Sequence, residues 1–173
     1  MKSLKLRPWK PPIGHRIAGR AQLDHILDPY ARHEKLSEGA TCPKCGAVFH
    51  DGRWEWWTGP RPEGAAEEQC AACRRIEESF PAGVVTLRGA FVQQHKDELI
   101  QMARHQEELE KKEHPMNRIM SVEANADGVT ITTTDIHLPR RIGETIKRAW
   151  RGKLTADFEE EGYFVRVNWT RES

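Results

Sequence analysis

The chain lacks any apolar run near the roughly 18 residues that a membrane helix needs, so its 173 residues predict no membrane span. Its first 20 residues contain no acid, and they lack the apolar stretch and small-residue cleavage site of a secretory signal. No Gly-rich phosphate loop, nucleophile elbow or His-Glu-x-x-His motif occurs, which argues against catalysis. Excess charge of one sign is missing as well: the formal net charge is +1, so a nucleic-acid partner would have to be met by a local patch. Aliphatic residues are almost absent from Thr41 to Ser79, and cysteine is absent from everything outside that stretch.

What is there falls into four stretches. Residues 1–37 read as a basic, largely extended arm, with Lys2, Lys5, Arg7, Lys10, Arg16 and Arg20 near its start. Pro8, Pro11 and Pro12 keep it out of helix and sheet, and a solvated tail is the plainer reading. Residues 38–82 hold Cys42, Cys45, Cys70 and Cys73 in two Cys-x-x-Cys pairs with 24 residues between the inner cysteines. Thiolates three residues apart converge on one ion where the backbone turns, and two such pairs supply four sulfurs at tetrahedral positions. One structural zinc ion is therefore expected, in a ribbon whose hairpin turns at Asp51-Gly52. A four-thiolate shell is closed and leaves no position for water or substrate. The rival is a redox dithiol, which needs only one pair and a strand-to-helix setting that neither pair shows in the sequence. Replacement of one cysteine by His50 would leave a thiol unexplained.

Three tryptophans lie between the pairs. In strand alternation Trp54 and Trp56 share a face and read as ribbon cover, whereas Trp57 points the other way and is a candidate stacking platform for a base. Arg74 and Arg75 add nearby positive charge.

Residues 83–116 read as a short strand, GVVTLRGAFV, and a helix that stops at Pro115. The apolar stripe of Phe91, Leu99, Met102 and Leu109 is thin, so the helix is expected to connect two lobes. Residues 117–173 carry the clearest pattern: a strand pair around Asp127-Gly128, a helix with Leu138, Ile142, Ile146 and Ala149 on one stripe, and two more strands. Asp135 reads as the cap of that helix and Gly152 as its terminator. The fold class is thus α+β: a zinc ribbon joined by a helical arm to a small β-β-α-β-β antiparallel sheet lobe. Away from its stripe the last helix carries Arg140, Arg141, Lys147, Arg148 and Arg151, a surface suited to phosphates. A plain solvated surface is the alternative.

CPKCG with the downstream CAAC, the helical stretch that follows, TTTDIHLPRRIGETIKRAWRGKL and YFVRVNW together resemble the short bacterial relatives of the nonsense-mediated-decay-type ribosome adaptor family. The resemblance covers roughly residues 42–169. Eukaryotic members of that family are export adaptors of the large ribosomal subunit, and the bacterial relatives are described as affecting ribosome stability and mRNA decay. The resemblance implies zinc on the four cysteines, a basic lobe touching the ribosome or its RNA, and a cytoplasmic, bacterial setting. The family's large members fill two zinc sites where this chain fills one, so export-adaptor function does not carry over. A non-catalytic, zinc-stabilised ribosome- or RNA-binding protein without a small-molecule substrate is the expectation. A zinc-ribbon protein-interaction module with thiol-based stress response is the alternative.

Overall fold

The computed structural model describes residues 28–30, 36–61, 63–159 and 162–173. The basic arm expected over the first 20 residues lies outside them, as does part of the turn expected around Glu159–Gly162.

A small two-stranded unit comes first. Strands β1 (Val48–His50) and β2 (Arg53–Glu55) pair antiparallel across Asp51-Gly52, both at positive φ (49° and 82°). Two left-handed residues are what a tight hairpin turn requires, and an Asp-Gly pair adopts them at little cost. Helix α1 (Ala71–Glu78) follows and ends at Ser79 in the left-handed conformation.

The larger unit is a five-stranded sheet with helices on one face. Strands β3 (Gly83–Arg88), β4 (Ile119–Asn125), β5 (Gly128–Thr133), β6 (Lys153–Glu159) and β7 (Phe164–Thr170) lie in the order β4-β5-β3-β7-β6. The four strands expected after Asn117 are all present. The strand expected near residue 83 is not an adjunct to a connecting helix: β3 runs at the centre of the sheet, antiparallel to β5 and parallel to β7. The sheet is therefore mixed, not purely antiparallel. Central position follows from burial, because Val85 and Leu87 have no exposed surface and a strand this apolar needs neighbours on both edges.

Helices α2 (Ala90–Gln94), α3 (Lys96–Glu113) and α4 (Leu138–Trp150) complete the body. The single helix expected up to Pro115 is broken at His95, whose ring stacks on Phe91 (centroids 4.1 Å apart) and lies against Trp150. Nor is α3 a free arm. Leu99 and Ala103 are buried, and the helix is tied to α4 by Thr145–Gln106 (3.0 Å), Arg141–Glu110 (3.1 Å) and Trp150–Met102 (3.2 Å). The stripe of α4 packs as expected at Leu138, Ile142 and Ile146, but Ala149 is exposed, and Trp150 packs against the core instead. On β4 a bulge between Ile119 and Ser121 shifts the register, so Ile119 rather than Met120 joins Val122 on the inner face. The core formed by the body contains no cysteine; Cys42, Cys70, Cys73 and Ala72 form a second, separate cluster.

Candidate metal centre and its surroundings

Both cysteine pairs are held by local backbone geometry. Gly46, at φ +79°, lets its N–H return to the Cys42 carbonyl (2.9 Å), while Cys42 N–H bonds the Ala47 carbonyl (2.8 Å). That turn brings Cys45 back beside Cys42. The second pair is built differently. Cys70 caps α1, its sulfur accepting the Cys73 N–H at 3.4 Å. This Cys-x-x-Cys therefore does open a helix, but β2 ends well before it, at Glu55, so the strand-to-helix setting expected of a redox dithiol is not the one seen. A parallel bridge between Thr41 and Glu67 holds the two turns side by side.

The four sulfurs lie within 4.8 Å of one another. Cys45 and Cys70 are 3.7 Å apart, and the Cys70 N–H reaches the Cys42 sulfur at 3.4 Å. Thiolates at about 2.3 Å from a central ion in tetrahedral geometry would be about 3.8 Å apart. The spacing is far beyond a disulfide bond, about 2.05 Å, and all four cysteines are free. The cluster could hold one metal ion. Cys42, Cys70 and Cys73 are buried and Cys45 is half-buried.

The thiols influence one another strongly. The hydrogen bond with Cys70 is the main force pulling the Cys45 thiol down to about 4, against its burial. The same bond, then burial, pushes Cys70 up, and burial pushes Cys73 up.

Arg118, which no sequence pattern marks, lies on this cluster. Its Nη1 donates to the Cys73 sulfur at 3.3 Å and its Nη2 lies 3.9 Å from the Cys70 sulfur. Burial works against its charge, but hydrogen bonds to Cys45 and Cys73 outweigh it and hold the guanidinium more firmly protonated. The Trp56 ring lies 5.7 Å from that guanidinium, and its indole N–H donates to the Lys111 carbonyl at the end of α3. Trp56 therefore joins the hairpin to the body, and with Glu108, Lys111 and Lys112 it lines an open groove of about 390 Å³. Trp54 packs on the cysteine cluster and edge-on against Phe49.

The expected nucleic-acid contacts are scattered. Trp57 is exposed (39%), packs edge-on against His50, and donates its N–H to the Pro60 carbonyl at 3.0 Å. Arg75 is turned inward: it is 1% exposed, pairs with Asp28 and lies 4.2 Å from the Tyr30 ring, so its charge is used within the molecule. Arg74 is half-buried and donates to the Tyr30 carbonyl at 2.8 Å. A burst of charge in sequence gives no sign of such inward turning. On α4, Arg141 pairs with the buried Glu110 at 3.1 Å and Arg140 approaches Glu144 at 4.0 Å. Lys147, Arg148 and Arg151 are exposed, and with Lys153 they form a run of four cations that pair with no carboxylate among the described residues. The cysteine cluster and this run of cations lie on different elements, and among the described residues no contact brings them into one site.

Comparison with models of known protein families, with curated proteins and with solved structures found no match.

Proposed function

We propose that the chain is a non-catalytic, zinc-stabilised protein that binds ribosomal or other structured RNA through the exposed end of α4. The observation that carries the reading is the run Lys147, Arg148, Arg151 and Lys153, four exposed cations that start on a helix fixed to the sheet by Leu138, Ile142 and Ile146. Lys147 and Arg148 also suit the negative end of the helix. Arg151 and Lys153 lie beyond it, where that explanation no longer holds. A rigid cationic edge neutralises phosphates without reading sequence. Zinc is the ion that four thiolates in a closed tetrahedral shell suit best, and its part here is to hold a segment with few aliphatic residues in shape. The resemblance in TTTDIHLPRRIGE to ribosome-associated proteins points the same way, and a bacterial cytoplasm is the setting it implies.

The test is sedimentation of cell extract through a sucrose gradient at low salt, with wild type and a K147E/R148E/R151E variant. Wild type is expected with ribosomal particles and the variant in the free fraction. On purified RNA, the slope of log affinity against log salt should fall by about 0.7–0.9 for each phosphate that the variant no longer neutralises. Wild type that stays wholly free in the gradient and fails to bind purified RNA sinks the reading.

A second reading rests on Cys45, the one cysteine of the four that is not buried. In it the cluster is a thiol sensor of stress and the partner is a protein. It predicts that mild peroxide releases the ion, which native mass spectrometry before and after treatment would register. An ion retained through the treatment favours the structural role.

A further inference from the structure

We propose that Arg118 is an outer-shell anchor of the metal centre, and that through it metal occupancy controls how firmly the cysteine segment is docked on the sheet. The inference rests on the metal reading above. Arg118 is only 7% exposed, and its two ends are bound to different parts of the molecule. Its main chain belongs to the body: its N–H donates to the Thr134 hydroxyl at 3.0 Å, and its carbonyl accepts the Thr134 N–H at 2.9 Å. Its side chain belongs to the cysteine cluster, with Nε fixed by the Pro115 carbonyl at 2.6 Å while Nη1 and Nη2 face Cys73 and Cys70. Met116 packs on the cysteine cluster beside it.

The charges make this connection conditional. Four thiolates around a divalent ion carry a net double negative charge, and a buried guanidinium donating to two of the sulfurs offsets half of it. N–H donors to ionised acceptors are about twice as strong as neutral ones. Remove the ion, and nothing holds the four sulfurs in the places that the guanidinium faces. Arg118 is then a buried cation whose acceptors are no longer fixed, which is costly. Its cheapest relief is to leave the cluster, and that loosens residues 115–118 and the Trp56 contact with α3. Linkage requires the converse: docking that favours the loaded centre must slow loss of the ion.

The experiment first measures metal content of the purified full-length chain, then compares wild type, R118Q and, as a control on an exposed cation, R88Q. Zinc release into a chromogenic chelator should be about 10-fold or more faster in R118Q, the usual scale for loss of an outer-shell partner, and unchanged in R88Q. Amide exchange gives a readout that needs no variant. Stripping the ion from wild type should raise exchange at the Arg118 and Thr134 amides, and in R118Q it should not. A folded, metal-loaded R118Q that releases zinc at the wild-type rate overturns the inference alone. So does wild type whose Arg118 and Thr134 amides stay equally protected without metal, whether or not R118Q folds. A chain that binds no metal overturns the metal reading and this inference with it.

Discussion

Asp135 faces two opposed demands. One carboxylate oxygen accepts the N–H groups of His137 (2.7 Å) and Leu138 (3.0 Å), which closes the start of α4. The other, Oδ1, is buried without a partner among the described residues. Burial pushes the carboxyl up to about 6, with Glu110 adding and the two main-chain donors and Arg141 opposing. A folded pKa above the unfolded value near 3.8 means that the folded chain holds this proton more tightly. The contribution is fully present below about pH 4 and is lost as pH rises through about 6. The difference amounts to about 3 kcal/mol, at 1.36 kcal/mol for each unit. D135N keeps an acceptor for the cap and removes the ionisation. The stability of wild type relative to D135N should therefore drop by up to about 3 kcal/mol between pH 4 and pH 8 in urea titrations. A constant difference across that range would show that the carboxyl is not raised. The sequence places Asp135 as the N-cap of α4; that position falls to His137, and Asp135 closes the helix start from two residues ahead of it. Its burial is not legible, since it depends on α3 bringing Glu110 alongside. Arg118 is less legible still. In MNRIM it looks like any strand-edge cation, and its partners lie 45 and 48 residues away.

At the scale of elements, the hairpin β4–β5 shows how a local signal can have a second, non-local cause. Gly128 sits at φ +139°, a conformation that L side chains rarely adopt. A Cβ there would also stand 2.0 Å from the Leu87 carbonyl oxygen of β3. The turn accounts for the first constraint and is visible in Asp127-Gly128; the second exists only because β3 lies next to β5. G128A should cost about 2–4 kcal/mol, more than a turn glycine alone would, because backbone rather than a flexible side chain must move. D127A, which is exposed and lies beside the same turn, should stay within about 1 kcal/mol. Chemical denaturation of both variants checks the comparison, and equal losses would show that the contact with β3 is unimportant. The same reasoning explains what the strand pattern could and could not convey. Alternation in Val129–Thr133 and Val165–Trp169 fixes which face is inner, and those residues are buried accordingly. Alternation does not say which strands are neighbours. Placing β3 between β5 and β7 joins segments far apart in the chain, and only the apolar run of Val84, Val85 and Leu87 hints at a central place.

At the scale of the whole molecule, the separation of the two buried clusters decides what a metal ion can do. The body's core joins Val85, Leu87, Ile131, Ile142, Val167 and Trp169 and draws on no cysteine. The other cluster is three cysteines and an alanine, with Trp54 and Met116 at its edge. Burial so small cannot offset the ordering of some 40 residues at about 1–2 kcal/mol each, so on the proposed metal reading the cysteine segment would depend on an ion and the sheet would not. Chelation should therefore divide the molecule. Far-ultraviolet circular dichroism should keep most of its strand and helix signal, and amides of β3, β5 and β7 should stay protected. Amides of Val48–Glu55 and the cap of α1 should exchange freely, and fluorescence from Trp54 and Trp56 should shift toward that of solvated indole. Heating the stripped chain should then give one transition, that of the body, near its position in the loaded protein. Loaded protein should add a transition that moves with the concentration of free ion, because an ion that binds only the folded segment stabilises it by mass action. If stripping the ion collapses the protection of β3 and β7 together with that of the hairpin, the two clusters are a single folding unit, and the independence argued from their composition fails.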